Sequence, residues 1–206
     1  LPLVLGTDKK RLSKRHAATN LEEYREEGYL DSAIINTLAR LGWSKGDEEV
    51  FYLDDLIKNF NIEEVQKAGA IFDITKLDWV NSQHLANLSI DDFKSHLKPF
   101  LKKIDIEMED HSNLDLMINA MRSSENTLSG IAESLVPYFK DISSYDENAI
   151  NKFLSDGSDI LVNIKDVLLK IDDWNENNID AVLKTFQTNN DLPVPKVNQP
   201  IRIALT

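Results

Sequence analysis

Cysteine is absent from the 206-residue sequence, which excludes disulfides, thiolate metal sites and cysteine nucleophiles. Glycine is scarce at 7 residues and proline contributes only 6, too few for a turn-rich all-β fold. No apolar run approaches the roughly 18 residues needed to cross a bilayer. The opening Leu1-Pro2-Leu3-Val4-Leu5 is apolar but has no basic stretch before it, so it does not read as a signal peptide. A cytoplasmic protein fits these absences. Positive charge is also in deficit, with a formal net charge of −12 at pH 7. An acidic chain repels a phosphate backbone at long range, so nucleic-acid binding has to rest on local basic patches.

Hydrophobic residues make up 42% of the chain and charged residues 28%, a globular profile sufficient for one large or two small domains. The apolar periodicity is mostly helical. Asn20 can cap a helix over Leu21–Glu27 that stops at Gly28. A second helix starts near Asp31, with Ile34, Ile35, Leu38 and Leu41 on one face and Gly42 as its stop. Further helices are expected over Leu53–Phe60, after Thr75, and from a Ser89 cap through Phe93, Leu97 and Leu101, the last interrupted or kinked at Pro99. Four more stripes follow, around Leu114–Met121, Leu128–Phe139, Ile160–Ile171 and Ile179–Phe186, the last capped by Asn175. Leu3-Val4-Leu5 reads as the end of a buried strand, and Ile201–Leu205 is the best remaining strand candidate. The stretch 189–200 reads as an extended surface connection. The expected class is mainly α, with short strands at the two ends at most.

Two basic patches stand out against the acidic background. Lys94, Lys98, Lys102 and Lys103 form the weaker one. The stronger is Lys9, Lys10 and Arg11-Leu12-Ser13-Lys14-Arg15, followed by His16. A loop with several cations and a hydroxyl suits a triphosphate, whose charge moves onto pyrophosphate as the α-phosphate is attacked. Lys14 can follow that charge as a point cation, while Arg11 and Arg15 can each engage two oxygens. Taken alone, the pentapeptide fits a basic surface loop equally well.

The stretch from Leu3 to His16 resembles the segment around the second signature of class I aminoacyl-tRNA synthetases, written KMSKS, in the Leu-Ser-Lys-Arg-His form typical of the glutamyl enzymes. Tyr24–Leu30, Leu38–Ser44 followed by Gly46-Asp47, Phe72–Asn81, Trp174–Leu183 and Pro200–Thr206 also resemble that family, in order and at sensible spacing. The resemblance implies ATP-dependent ligation of glutamate to tRNA(Glu) through a glutamyl-adenylate, in a bacterial-type glutamyl-tRNA synthetase. It places Lys14 on the motif's second lysine, as the residue that stabilises transition-state phosphate charge. Arg11, Leu12, Ser13, Lys14 and Arg15 then form the ATP loop, with Mg2+ accompanying the nucleotide. Arg11 departs from the family's lysine, and Ala17 stands where glycine is common. The resemblance also implies a KMSKS and stem-contact region over residues 1–88, then an all-helical anticodon-binding domain over 89–206 whose C-terminal end looks clipped. It leaves open whether the parent also charges glutamine tRNA.

The first class I signature, a His-x-Gly-His arrangement, is absent, since His16, His84, His96 and His111 stand apart. The chain is therefore expected to be a tRNA-binding portion of the ligase, inactive by itself, and a monomer with no zinc. The competing reading is a non-enzymatic helical module whose acidic faces bind a protein. Trp43, Trp79 and Trp174 are expected to be packing residues rather than base-stacking platforms. The unpaired histidines are expected to be structural or exposed, and the Glu22-Glu23, Glu26-Glu27 and Glu48-Glu49 pairs to be solvated helix surface. Arg40, Arg122 and Arg202 are candidates for RNA contact or for ion pairing.

Overall fold

The structure, a computed structural model, describes residues 1–12, 20–108, 113–142, 144–155 and 157–205. In chain order it contains β1 (Val4–Leu5), α1 (Leu21–Glu27), α2 (Asp31–Ala39), α3 (Leu53–Asn59), a 3-10 turn at Ile62–Glu64 and β2 (Ala70–Ile71). There follow α4 (Ile74–Asn87), α5 (Ile90–Lys103), α6 (Leu114–Met121), α7 (Leu128–Phe139), the single turn α8 (Glu147–Ala149) running into a wide π-type turn at Ile150–Leu154, α9 (Ser158–Leu168), α10 (Glu176–Asn189) and α11 (Val194–Leu205). The fold is mainly α, as the periodicity predicts.

Side-chain caps set several helix starts. The side chains of Asn20, Ser89 and Asn175 accept from the backbone N–H groups of Glu22, Asp92 and Asn178 at 3.0, 3.1 and 2.9 Å. The cap of α4 is Asp73, whose carboxylate accepts from the Thr75 N–H at 3.0 Å, so this helix begins at Ile74 and includes Thr75. At the end of α1, Gly28 adopts φ +89°, a left-handed conformation that only glycine takes without strain. Pro99 does not end α5, which continues to Lys103.

The chain forms two compact units, Leu1–Phe139 and Lys140–Thr206. The first is built on one main core in which Leu30, Ala33, Val80 and Leu85 pack with Phe93, Leu97, Leu101, Ile118, Ile131 and Leu135. Two smaller clusters join it, one around Tyr24, Tyr29, Ile34, Phe72 and Leu77, the other around Trp43, Phe51 and Leu56. Strands β1 and β2 pair in parallel, Val4 with Ala70 and Leu5 with Ile71. Strand β1 is only half-buried and Leu3 is exposed, so it is not the buried strand its apolar run suggests.

The second unit packs Ile164 of α9, Phe186 of α10 and Val197 of α11 together, with Ile201 against them. Here the strand expected over Ile201–Leu205 is replaced by helix. Val197 and Ile201 lie four residues apart and reach the same cluster, which a helix allows and a strand's alternation does not. The expected extended connection shrinks likewise to the few residues between Asn189 and Val194.

Candidate nucleotide and nucleic-acid site

Chain reversal after β1 creates the first half of the signature segment. The Lys9 N–H donates to the Gly6 carbonyl at 2.9 Å, and the Gly6 N–H donates to the Lys10 carbonyl at 2.8 Å. Lys9 takes φ +62° to close this turn, and the Asp8 carboxylate accepts from the Lys10 N–H at 2.9 Å. The returning segment runs antiparallel to β1, with Arg11 bridged to Leu5 and the Leu12 N–H bonded to the Val4 carbonyl at 3.0 Å. Val4 and Leu12 both pack on the Tyr24–Phe72 cluster, which anchors the hairpin to the helices. Lys9, Lys10 and Arg11 consequently stand in solvent along one hairpin. Ser13, Lys14, Arg15 and His16 lie outside the described residues, as does His111.

Two of the α5 cations, Lys94 and Lys103, have partners within the protein. Lys94 is ion-paired with Asp115, and the Lys103 ammonium lies 5.1 Å from the Phe100 ring centroid. Arg40 and Arg122 serve the protein itself. Glu49 accepts from Arg40 Nε at 3.1 Å and lies 3.0 Å from its Nη2, with Lys76 Nζ at 2.8 Å. Burial favours the neutral form of Glu49, but the hydrogen bonds and charges of Lys76 and Arg40 outweigh it, so its pKa is lowered. Arg122 donates to the carbonyls of Leu85, Ala86 and Leu88 at 2.8, 2.9 and 3.1 Å, closing the end of α4, and its guanidinium lies 5.1 Å from the Phe93 centroid. Arg202 is exposed on α11.

Behind the hairpin and helices lies a buried polar network that periodicity does not reveal. Asn36 Oδ1 accepts from the Phe51 N–H at 2.6 Å, while its Nδ2 donates to the Glu49 carbonyl at 3.0 Å. His84 Nε2 is 3.2 Å from the same Oδ1, so the nitrogen facing this acceptor carries the proton. Burial pushes the His84 pKa down, and its ring packs against Tyr52 in a tilted arrangement, 4.9 Å between centroids and 60° between planes. His84 is thus structural, and His96 is exposed. Asn81, fully buried, accepts from the Leu30 N–H at 2.8 Å and donates to the Asn126 carbonyl at 2.6 Å. Tyr29 donates to Asp78 at 2.5 Å. Among the tryptophans only Trp43 is a packing residue; Trp79 and Trp174 are 45% and 60% exposed, contrary to expectation. Glu22, Glu23, Glu26, Glu27 and Glu48 are exposed, and no group of three or more His, Asp or Glu among the described residues could hold a metal ion.

Comparison with known proteins divides the chain in the same order as its motifs. Residues 92–206 match the anticodon binding domain family, and residues 1–79 match the catalytic domain of the class I tRNA synthetases for E and Q. Glutamate–tRNA ligase 1 of Syntrophus aciditrophicus is 37% identical over 207 residues, covering all of this chain and 44% of that protein. Glutamate–tRNA ligase 2 of Halorhodospira halophila is 34% identical, with the same coverage of 100% and 44%. The crystal structure of a glutamate tRNA ligase from Elizabethkingia meningosepticum, in complex with its amino acid, superposes with a TM-score of 0.77 at 28% identity, over 99% of this chain and 44% of that one. The Elizabethkingia anophelis glutamate–tRNA synthetase gives 0.72 at 28% identity, over 96% and 42%. The chain therefore spans about 44% of the length of the curated relatives it matches. No helix among the described residues is long and apolar enough to cross a membrane.

Proposed function

Because the chain belongs to the glutamate–tRNA ligase family of class I synthetases, we propose that it is the tRNA-handling portion of an enzyme that joins glutamate to tRNA(Glu) with ATP, by way of a glutamyl-adenylate. Residues 1–88 supply the signature loop and the stem contact, and 89–206 bind the anticodon arm. The family matches, which leave a gap between residues 79 and 92, support that division. The carrying observation is the hairpin. It holds Lys9, Lys10 and Arg11 in solvent immediately before Leu12, which it fastens to the helical core.

In this reading Lys14 stabilises the charge that shifts onto pyrophosphate as the α-phosphate is attacked, assisted by Ser13 and the guanidinium groups of Arg11 and Arg15. Leu12 contributes by pinning the loop's start. Mg2+ accompanies ATP and is held by the nucleotide. The chain alone does not aminoacylate, since no His-x-Gly-His stretch occurs in it. It acts as a monomer in the cytoplasm, where its tRNA is.

Filter binding of glutamate tRNA to the chain at two ionic strengths tests the proposal. Weak binding with a steep salt dependence is expected, and Lys9→Glu/Lys10→Glu/Arg11→Glu should flatten the slope by roughly one unit for each phosphate that is no longer neutralised. Binding that ignores salt, or that is equal for any acidic polymer, overturns it. Stoichiometric recovery of one protein partner with no tRNA retained would support the helical interaction module instead.

A further inference from the structure

Thr37 sits on α2 with 8% of its surface exposed, and its Oγ1 has no hydrogen-bond partner. A buried hydroxyl without a partner costs about 1–3 kcal/mol, so its persistence calls for an explanation. It borders a pocket of about 220 Å³ in the first compact unit, between α1, α2, the β1 hairpin and the start of α4. Tyr24, Ile34, Leu41, Phe72 and Leu77 form the walls, and no charged side chain lines it among the described residues. Asn20, Leu21 and Leu38 are its exposed lining residues, Leu21 at 60% and Leu38 at 45%, and bring it to the surface.

We propose that this pocket is a ligand site for a neutral, single-ring aromatic molecule carrying one hydrogen-bonding group, which the Thr37 hydroxyl receives. Size argues for this class, since an apolar protein cavity of about 150 Å³ holds benzene and this one has room for a ring with a substituent. Among the described residues the lining offers a charged ligand no counter-ion to replace its lost hydration, which favours a neutral one. Of the polar residues that line the pocket, Asn20, Tyr24 and Thr37, only Thr37 holds a buried side-chain oxygen without a partner, and such a group fixes a ligand's orientation. Leu12 and Asn20 also line the pocket, so an occupant touches the described residues on both sides of 13–19. The assignment does not depend on the ligase reading.

A second space of about 60 Å³ also borders Thr37, walled by polar groups including Arg40, Glu49 and Lys76, and could hold water for the hydroxyl. Titrating the whole chain with phenol and with toluene, followed by protein NMR shifts, separates the two. Saturable binding of both probes is expected, and Leu38→Trp, at the exposed edge, should abolish it. Thr37→Val, which keeps shape and removes the hydroxyl, should lower the phenol preference over toluene by about fivefold, the worth of one net hydrogen bond. Thr37→Ser should restore the preference. Absence of saturable binding, indifference to Leu38→Trp, or an unchanged phenol-to-toluene ratio in Thr37→Val overturns the proposal, the last outcome assigning the hydroxyl to the polar space.

Discussion

Gly28 and Leu128 meet backbone to backbone: the Gly28 carbonyl accepts from the Leu128 N–H at 3.1 Å, and a Cβ on Gly28 would lie 2.7 Å from that nitrogen. Ser129 completes the joint by donating to the Glu27 carbonyl at 2.6 Å. The end of α1 thus abuts the start of α7, its free carbonyls meeting the donors that α7 leaves free. Gly28→Ala combines a positive-φ penalty with a backbone clash and should cost about 2–4 kcal/mol. Gly46→Ala is the control, with φ +57° and nothing within 4 Å of its would-be Cβ, and should cost about 1 kcal/mol. Urea midpoints measure both; equal losses would show that packing against α7 contributes nothing.

Asn81 should prove more sensitive than its size suggests. Asn81→Leu removes the acceptor for the buried Leu30 N–H and the donor for Asn126, a loss of about 2–4 kcal/mol. Asn81→Asp keeps the acceptor but turns a carboxylate toward the Asn126 carbonyl. Its stability should recover as the pH falls and the carboxyl takes a proton, while Asn81→Leu shows no such recovery in thermal melts.

Acid should weaken the first unit in two stages. The His84 pKa is lowered by burial, so the unfolded chain takes up that proton first and stability declines as pH drops below the ordinary 6.5. The Glu49 pKa is lowered too, burial being outweighed by Lys76 and Arg40, so its contribution is present above 4.5 and is lost as pH falls through the folded value. His84→Phe should remove the first decline and Glu49→Gln the second, in unfolding free energies measured from pH 8 to 3. A first decline that persists in His84→Phe assigns it to another group.

Arg122 offers a test of structural against RNA-binding roles. Arg122→Ala should destabilise by about 1.5–3 kcal/mol, because three carbonyls at the end of α4 lose a charged donor. Affinity for tRNA, measured well below the melting temperature, should change by less than twofold. A large loss of affinity in a fully folded variant assigns the guanidinium to RNA.

Lys14→Ala, introduced into the full ligase, should raise the barrier to adenylate formation by about 2–4 kcal/mol, the loss of one transition-state cation. Its tRNA affinity should stay nearly constant. Pyrophosphate exchange and filter binding report the two separately, and equal losses would make Lys14 a binding or folding residue.

Local signals in the sequence survive folding best. Asn20, Ser89 and Asn175 cap helices where the sequence places them, because a cap is chemistry between residues two or three apart. The inward face of α2 is not legible in the same way. Ile35 and Leu38 are exposed, while Asn36 and Thr37 are buried, since Asn36 spends its amide on Glu49, Phe51 and His84 far along the chain. Strand β2 leaves no sequence signal because two residues make no pattern, and its partner lies 66 positions earlier. At the hairpin, the basic run and Gly6 are visible in the sequence, but the antiparallel return of Arg11 and the anchoring of Leu12 depend on tertiary packing.

The main core has a practical corollary for anyone who wishes to transplant anticodon recognition between synthetases. Leu30 and Val80 share one interior with Phe93 and Leu135, so a cut near residue 88 would strip both fragments of apolar cover. A graft made after Phe139 leaves that interior whole. A segment exchanged without cutting this interior therefore starts later than the family match, which begins at residue 92.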